Sequence, residues 1–247
     1  KTAEHNKSAS LDLIVNAMIF KFMNRRPSLE EQGDIISNKS KSSKSSNNRF
    51  NIDSEDVGRS RKFDEFLLSS DRNKSNRYAI DRTKIVIGKG DEDFRKAIAL
   101  LKKWEHFQLK WTSVDKRTEQ RKREKVCVLV NIIPFVYIFN PLEIVYVEEE
   151  ASSRRRLIRP SAEKTSNYYA FAHATLRGHM LAGEEKFTIE KSTNDGEEVF
   201  FKIDTFSKPG NIIASASYPI VRILQKAFHF QAAKRMKNAM MLLEKQK

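Results

Sequence analysis

Only one cysteine occurs in the 247 residues. Cys127 sits inside an apolar run, so an internal disulfide is excluded, and a scaffold stapled by several of them with it. Such usage fits a reducing, intracellular compartment, in the cytoplasm or at an organelle envelope, and the thiol reads as a buried structural residue rather than a nucleophile. Long apolar runs are also missing. The longest, Ile132 to Phe139, is broken by Pro134 and falls far short of the roughly 20 residues a membrane-crossing helix needs. Leu11 to Phe22 is interrupted by Asp12, Asn16 and Lys21, and no small-residue cleavage site follows it. The first residue is lysine, so the missing leader decides little. With 8 glycines the chain has no Walker loop and no dinucleotide fingerprint, and it lacks a Ser-His-Asp signature. Its 5 histidines and its carboxylates show no metal-ligand spacing, so neither metal nor cofactor is expected.

Charge is what the chain has in quantity. Lysine and arginine number 46 against 32 acidic residues, a net +14, which points to a polyanionic neighbour such as a membrane surface. No known motif adds to charge in favour of nucleic acid. Two stretches carry the sharpest excess. Lys116 to Lys125 (KRTEQRKREK) has 6 basic and 2 acidic residues, and Arg154 to Arg159 has 4 arginines in a charged loop. Each is a solvated loop by default and a contact for anionic lipid head groups by the sharper reading. A hydrophobic content of 39% suffices for one sizeable core.

Along the chain, Ile14 to Met23 reads as a short strand or a helix end. Ser28 and Glu31 then have the spacing of a capping box, which predicts a short helix to about Ile36. From Ser37 to Asn48 every residue is serine, asparagine or lysine. That segment cannot bury enough apolar surface to offset its ordering entropy, and the polar stretch on to Asn76 is expected to be loosely held. The organisation expected is therefore an N-terminal segment over 1–36, a polar insertion over 37–76, and a folded domain over 77–247.

Thr83 to Ile87 predicts a strand. Gly88, Lys89 and Gly90 turn it into a helix on which Phe94, Ala97, Ile98, Leu101 and Trp104 share a face. Phe107, Leu109 and Trp111 alternate with polar residues, the mark of a half-buried strand. Val126 to Val130, Leu142 to Val147, Tyr168 to Arg177, Glu185 to Lys191 and Val199 to Phe206 complete seven strands. Phe135 to Phe139, held between prolines, reads as an aromatic connection able to form the lip of a pocket. From about Pro219 to Glu244 one long helix carries Ile220, Val221, Leu224, Phe228, Ala232, Met236, Ala239, Met240 and Leu243 on a single stripe. Strand, helix, six strands and a long helix predict an α+β fold, a strongly curved antiparallel sheet wrapped around the terminal helix, because each buries its apolar side against the other.

Histidine, paired carboxylates and permissive backbone meet at TLRGHMLAGEEKF, Thr175 to Phe187. His179 and Glu184 are the candidate acid and base there, gathered with Glu185 near the turn between two strands. The bland alternative pairs Glu184 or Glu185 with Arg177 or Lys186. Trp111, Phe201 and Phe228 are expected near an apolar cavity. The ligand-site candidates are thus Trp111, Arg177, His179, Glu184, Glu185, Phe201 and Phe228. His106 and His229 read as packed or solvated residues, and the side that His173 faces is open.

The stretches WEHFQLKWTSVD (Trp104 to Asp115), Leu142 to Val147, TLRGHMLAGEEKF, FSKP (Phe206 to Pro209) and YPIVRILQK from Tyr218 resemble the uncharacterised family called domain of unknown function nineteen-ninety, found in bacteria and plants. The likeness runs from about Met18 onward. Where that family has glycine, aromatic, glycine before the threonine-leucine pair, this chain has Ala172, His173 and Ala174. The family has no established reaction, and its strand and helix order is similar to the helix-grip (START/Bet v 1-like) folds of lipid-transfer and polyketide-cyclase-like proteins. The resemblance and the residues together lead to a binding module for a small hydrophobic or lipid-like ligand. A membrane-associated protein, surface-bound or a β-rich pore, and an enzyme using His179 and Glu184 are the alternatives.

Overall fold

Strand β6, Asn167–Thr175, shows how the sequence makes the sheet. Its bulky residues Tyr169, Phe171 and His173 alternate with Ala170, Ala172 and Ala174, so one face is filled and the other is kept thin. The computed structural model describes residues 20–23, 25–28, 30–35, 49–68, 77–150, 167–192, 196–210 and 212–245. Its strands are β1 (Phe20–Phe22), β2 (Ala79–Lys89), β3 (Thr112–Ser113), β4 (Lys125–Val130), β5 (Val136–Glu150), β6, β7 (Leu181–Lys191) and β8 (Glu198–Pro209). Seven run side by side in the order β2-β8-β7-β6-β5-β4-β3, every pair antiparallel, and β1 takes the flank of β5 that β6 leaves uncovered. Register shifts between Ile144 and Tyr146 and between Val86 and Gly88 are the bulges that bend the sheet.

Two helices lie on the concave side. Gly90–Lys102 follows the glycine turn, and Asp93 Oδ2 in its first turn accepts the N–H of the preceding Lys89 at 2.8 Å. The C-terminal helix, Tyr218–Glu244, buries Val221, Phe228, Ala232, Met236, Ala239 and Met240 of the stripe expected for it, with His229 and Ala233 beside them. Of these, Phe228, Ala232, Ala233, Met236 and Met240 form one continuous core with Ala97, Leu101, Trp104 and inward positions of β4 to β8. At roughly 1.5–3 kcal/mol for each large buried apolar side chain, that inner layer is the main favourable contribution to the fold. The curved antiparallel sheet around a long terminal helix expected from the residue pattern is the architecture present.

Three local expectations fail, each for a physical reason. The alternation at Phe107, Leu109 and Trp111 is not a strand: Trp104 turns left-handed at φ 58° and Glu105–Phe107 forms a 3-10 turn that drives Trp104, His106 and Phe107 into the core, leaving β3 as two residues. Strand β5 does not begin after Pro141, at Leu142, but runs through the proline from Val136. The Pro141 carbonyl accepts from Leu176 beyond the end of the β6 ladder, so the missing N–H faces a flank where no strand needs it. Residues 49–68, inside the stretch expected to be loosely held, carry short 3-10 turns and the helix Phe63–Leu68, and bury Ile52, Asp56, Ser60 and Phe63. They pack on the convex face, where Ile52 meets Ala174 and Ala182, and Phe63 meets Tyr78 and Phe206. Residues 30–35 are helical, and the Ser28 and Glu31 side chains cap reciprocally, Ser28 N to Glu31 Oε2 at 2.6 Å and Glu31 N to Ser28 Oγ at 3.2 Å. The polar run Ser37 to Asn48 and the arginines at 154–159 lie outside the described residues. Among the described residues no helix is long and apolar enough to cross a membrane.

Candidate functional site

The C-terminal helix does not fill the sheet evenly. From Ala232 to Met240 it packs solidly into the core, whereas its first half, at Val221, Leu224 and Phe228, borders a cavity of about 260 Å³ against the inner face of β4 to β8. Phe107, Trp111, Val128, Val130 and Leu142 make the facing wall. Ile132 and Ile220 line it where it opens, 46% and 63% exposed. Of the connection expected to form a lip, Phe135 to Phe139, only Ile138 lines the cavity: residues 136–139 belong to β5, and Phe139 is buried with Cys127 and Leu129.

At the other end the wall turns polar. Register sets His173 of β6 directly opposite Glu185 of β7, and Glu185 directly opposite Thr205 of β8, so the three make one row across the sheet. His229 descends onto that row from the helix. Its Nε2 lies 3.0 Å from Glu185 Oε1 and 3.1 Å from Thr205 Oγ1, and its Nδ1 lies 3.3 Å from Thr83 Oγ1. Thr205 donates to the same Glu185 oxygen at 3.1 Å. The second oxygen, Oε2, is 3.6 Å from His173 Nε2, beyond a hydrogen bond, and both His173 ring nitrogens are buried without a partner. Burial opposes ionisation of Glu185, but the hydrogen bond and charge of His229, then His173 and Thr205, outweigh it and hold the carboxyl below its ordinary range. Burial lowers His173, which stays below the ordinary histidine value despite Glu185.

Of the residues singled out from sequence, Trp111, His179, Glu185 and Phe228 line the cavity. Trp111 is fixed by its indole N–H, which donates to Gln231 Oε1 at 3.0 Å. His179 accepts the Leu181 N–H on Nδ1 at 2.9 Å, and burial pushes its pKa down to about 4. Glu184 borders the cavity, yet its carboxylate turns to the convex side, where it accepts from Gly58 N at 2.6 Å, from Ser60 N at 3.0 Å and from the Ser60 hydroxyl. The structure therefore does not join His179 to Glu184. Phe201 lies in the packed core stacked on Phe187 rather than on the cavity, and Arg177 is exposed, its backbone N–H donating to Arg49 O. Sequence reading missed His173, Thr205 and His229. The signal for His173 was its shared parity with Tyr169 and Phe171. For His229 it was its place next to Phe228 on the apolar stripe.

The loop Lys116 to Lys125 is partly neutralised from within. Lys116 pairs with Glu105, Arg117 with Asp115, and Arg121 with Glu119 and Glu124. Among the described residues no three His, Cys, Asp or Glu side chains are grouped to hold a metal ion.

Residues 63–235 match the family described as Domain of unknown function (DUF1990). The chain belongs to that family. Every member of the polar row and its helix partner, His173, Glu185, Thr205 and His229, falls within the DUF1990 match, whereas Gly58 and Ser60 precede it. A UPF0548 protein of Arabidopsis thaliana is 33% identical over 204 residues, 82% of this chain and 89% of its own. A UPF0548 protein of Dictyostelium discoideum is 28% identical over 173 residues, 67% and 74% of the two chains. Among solved structures, norcoclaurine synthase of Thalictrum flavum aligns with a TM-score of 0.41 at 9% identity, covering 68% of this chain and 96% of that one.

Proposed function

We propose that this DUF1990 chain binds a small, mostly apolar ligand in the cavity between the sheet and the first half of the C-terminal helix. One observation carries the reading: a hollow of about 260 Å³, walled by Phe107, Trp111, Val128, Leu142 and Phe228, ends on a row of polar side chains. Apolar walls with a few convergent polar groups are the general form of a small-molecule site, and this volume is near the lower end of the usual range. Closely packed interiors rarely keep a hollow of this size. Exposed Ile132 and Ile220 at the opening give an apolar ligand a continuous path from a membrane or a carrier. A pore finds no support, because the concave side of the sheet is packed with Trp104, Phe171, Phe187 and Phe201.

Titration with the neutral fluorescent probe N-phenyl-1-naphthylamine tests the proposal. Saturable 1:1 binding to the wild type is expected, with at least a tenfold loss in Leu224→Trp, which fills the hollow from the helix side. Equal binding by that folded variant, or no binding by the wild type, overturns it.

A further inference from the structure

Resting on the reading of the cavity as a ligand site, we propose that its polar end selects a ligand carrying an uncharged hydroxyl, seated between His173 and Glu185. The geometry leaves hydrogen-bonding capacity unmet on two neighbouring side chains of the cavity wall. Glu185 Oε1 already accepts from Thr205 and faces His229 Nε2 at 3.0 Å, whereas Oε2 has His173 Nε2 alone, at 3.6 Å. His173 is 3% exposed with both ring nitrogens unpartnered, and it lines the cavity together with Glu185. A buried polar atom left unpaired is costly, so a ligand group that satisfies both sides is favoured.

The donor and acceptor inventory names that group. A neutral imidazole protonated on Nε2 offers a donor, and a carboxylate oxygen is an acceptor. A hydroxyl accepts from the first and donates to the second at once. An ammonium has donors alone and leaves the imidazole N–H unmet. A carbonyl has acceptors alone and leaves Oε2 unmet. A carboxylate meets the negative charge of Glu185 in a site shielded from water, where like charges repel strongly. Burial, which disfavours the imidazolium of His173, is consistent with the neutral ring this match uses. Two other wall groups are engaged, the Thr175 hydroxyl with Asn51 and Gly183 and the Ser207 hydroxyl with Gln225. The ligand class is therefore a small alcohol or phenol on an apolar ring or chain.

Four probes of one shape separate the cases: naphthalene, 2-naphthol, 2-naphthoate and 2-naphthylmethylammonium, measured by equilibrium dialysis against the full chain near pH 7.5. The expected result is 2-naphthol binding at least tenfold tighter than naphthalene, a difference of about 1.4 kcal/mol, with both charged probes no tighter than naphthalene. In His173→Phe, an exchange suited to the neighbouring Phe107, Phe171 and Phe187, the naphthol advantage is expected to fall below threefold. Naphthalene binding with no gain for naphthol, or tightest binding by either charged probe, overturns the hydroxyl inference while the cavity proposal stands. Failure of all four probes overturns the cavity proposal itself. The wild-type panel decides these outcomes even if the variant does not fold.

Discussion

Glu184 and Glu185, neighbours in the chain, turn their carboxylates to opposite sides of β7, the first onto the amides of Gly58 and Ser60 and the second toward His229 at 3.0 Å. Strand alternation alone produces this division. It separates a carboxylate that holds the convex cover in place from one that faces the cavity.

Glu184 sets a stability dependence on pH. Burial pushes its carboxyl from 4.5 up to about 7, against the hydrogen bonds from Ser60 and Gly58. A group whose pKa is higher in the folded state binds its proton more tightly there, so its contribution is full below 4.5 and lost as pH rises through about 7. The shift corresponds to roughly 3 kcal/mol. Chemical denaturation of wild type and Glu184→Gln at pH 4.5, 6 and 8 should show the difference between them changing across that window. A constant difference would refute the assignment.

His106 gives the opposite slope. It is wholly buried with both nitrogens unpartnered, its ring 4.4 Å from that of Phe187, and burial holds its pKa well below 6.5. A depressed pKa contributes stability above the unfolded value and loses it as pH falls, so acid weakens the fold below about 6.5. His106→Phe should remove part of that acid sensitivity and leave stability near neutrality unchanged or raised by about 1 kcal/mol. Thermal unfolding at pH 5 and pH 7.5 measures both.

Gly183 tolerates no side chain. A Cβ there would stand 2.1 Å from the Phe206 carbonyl oxygen and 2.8 Å from Ser207 Cα, both backbone atoms of β8. Gly183→Ala should cost about 3 kcal/mol or more, since the strand pair itself must move. A melting temperature equal to wild type would contradict the close approach of β7 and β8.

Arg49 holds Glu143 through two contacts, Nε to Oε2 at 2.7 Å and Nη2 to Oε1 at 2.8 Å, and the Glu143 side chain is 5% exposed. Arg49→Ala leaves that carboxylate buried without its guanidinium and should cost about 2 kcal/mol or more. The double variant with Glu143→Gln should recover part of the loss, and a cycle showing no coupling would count against the pair.

Cys127 should be inert in the folded chain. Burial pushes its thiol up to about 12. Alkylation by iodoacetamide at pH 8 is expected to be at least tenfold slower in native protein than in urea.

The fold was legible where one periodicity ran long enough. The stripe from Val221 to Met240 pointed inward as read, at Val221, Phe228, Ala232, Met236, Ala239 and Met240. Short patterns misled. Phe107, Leu109 and Trp111 repeat at period two, but the left-handed turn at Trp104 is a tertiary choice, made because the indole finds Phe171 and Phe107 in the core. The candidate site was misplaced by a few residues of strand boundary. Starting the second arm at Glu185 put both glutamates at the turn, whereas β7 begins at Leu181 and sets them in mid-strand on opposite faces. The meeting of Glu185 with His229 spans 44 residues, from sheet to helix, and no local spacing encodes it.

The convex cover has a bearing on how far the chain can be trimmed. A fragment cut at residue 63, where the family match begins, would strip Gly58 and Ser60 from Glu184 and the guanidinium of Arg49 from Glu143. Both acids would lose their partners, and Ala174 and Ala182 on the outer side of the sheet would lose the cover of Ile52. A fragment that keeps these two contacts reaches back to Arg49, and the segment from there to Leu68 is masonry rather than tether.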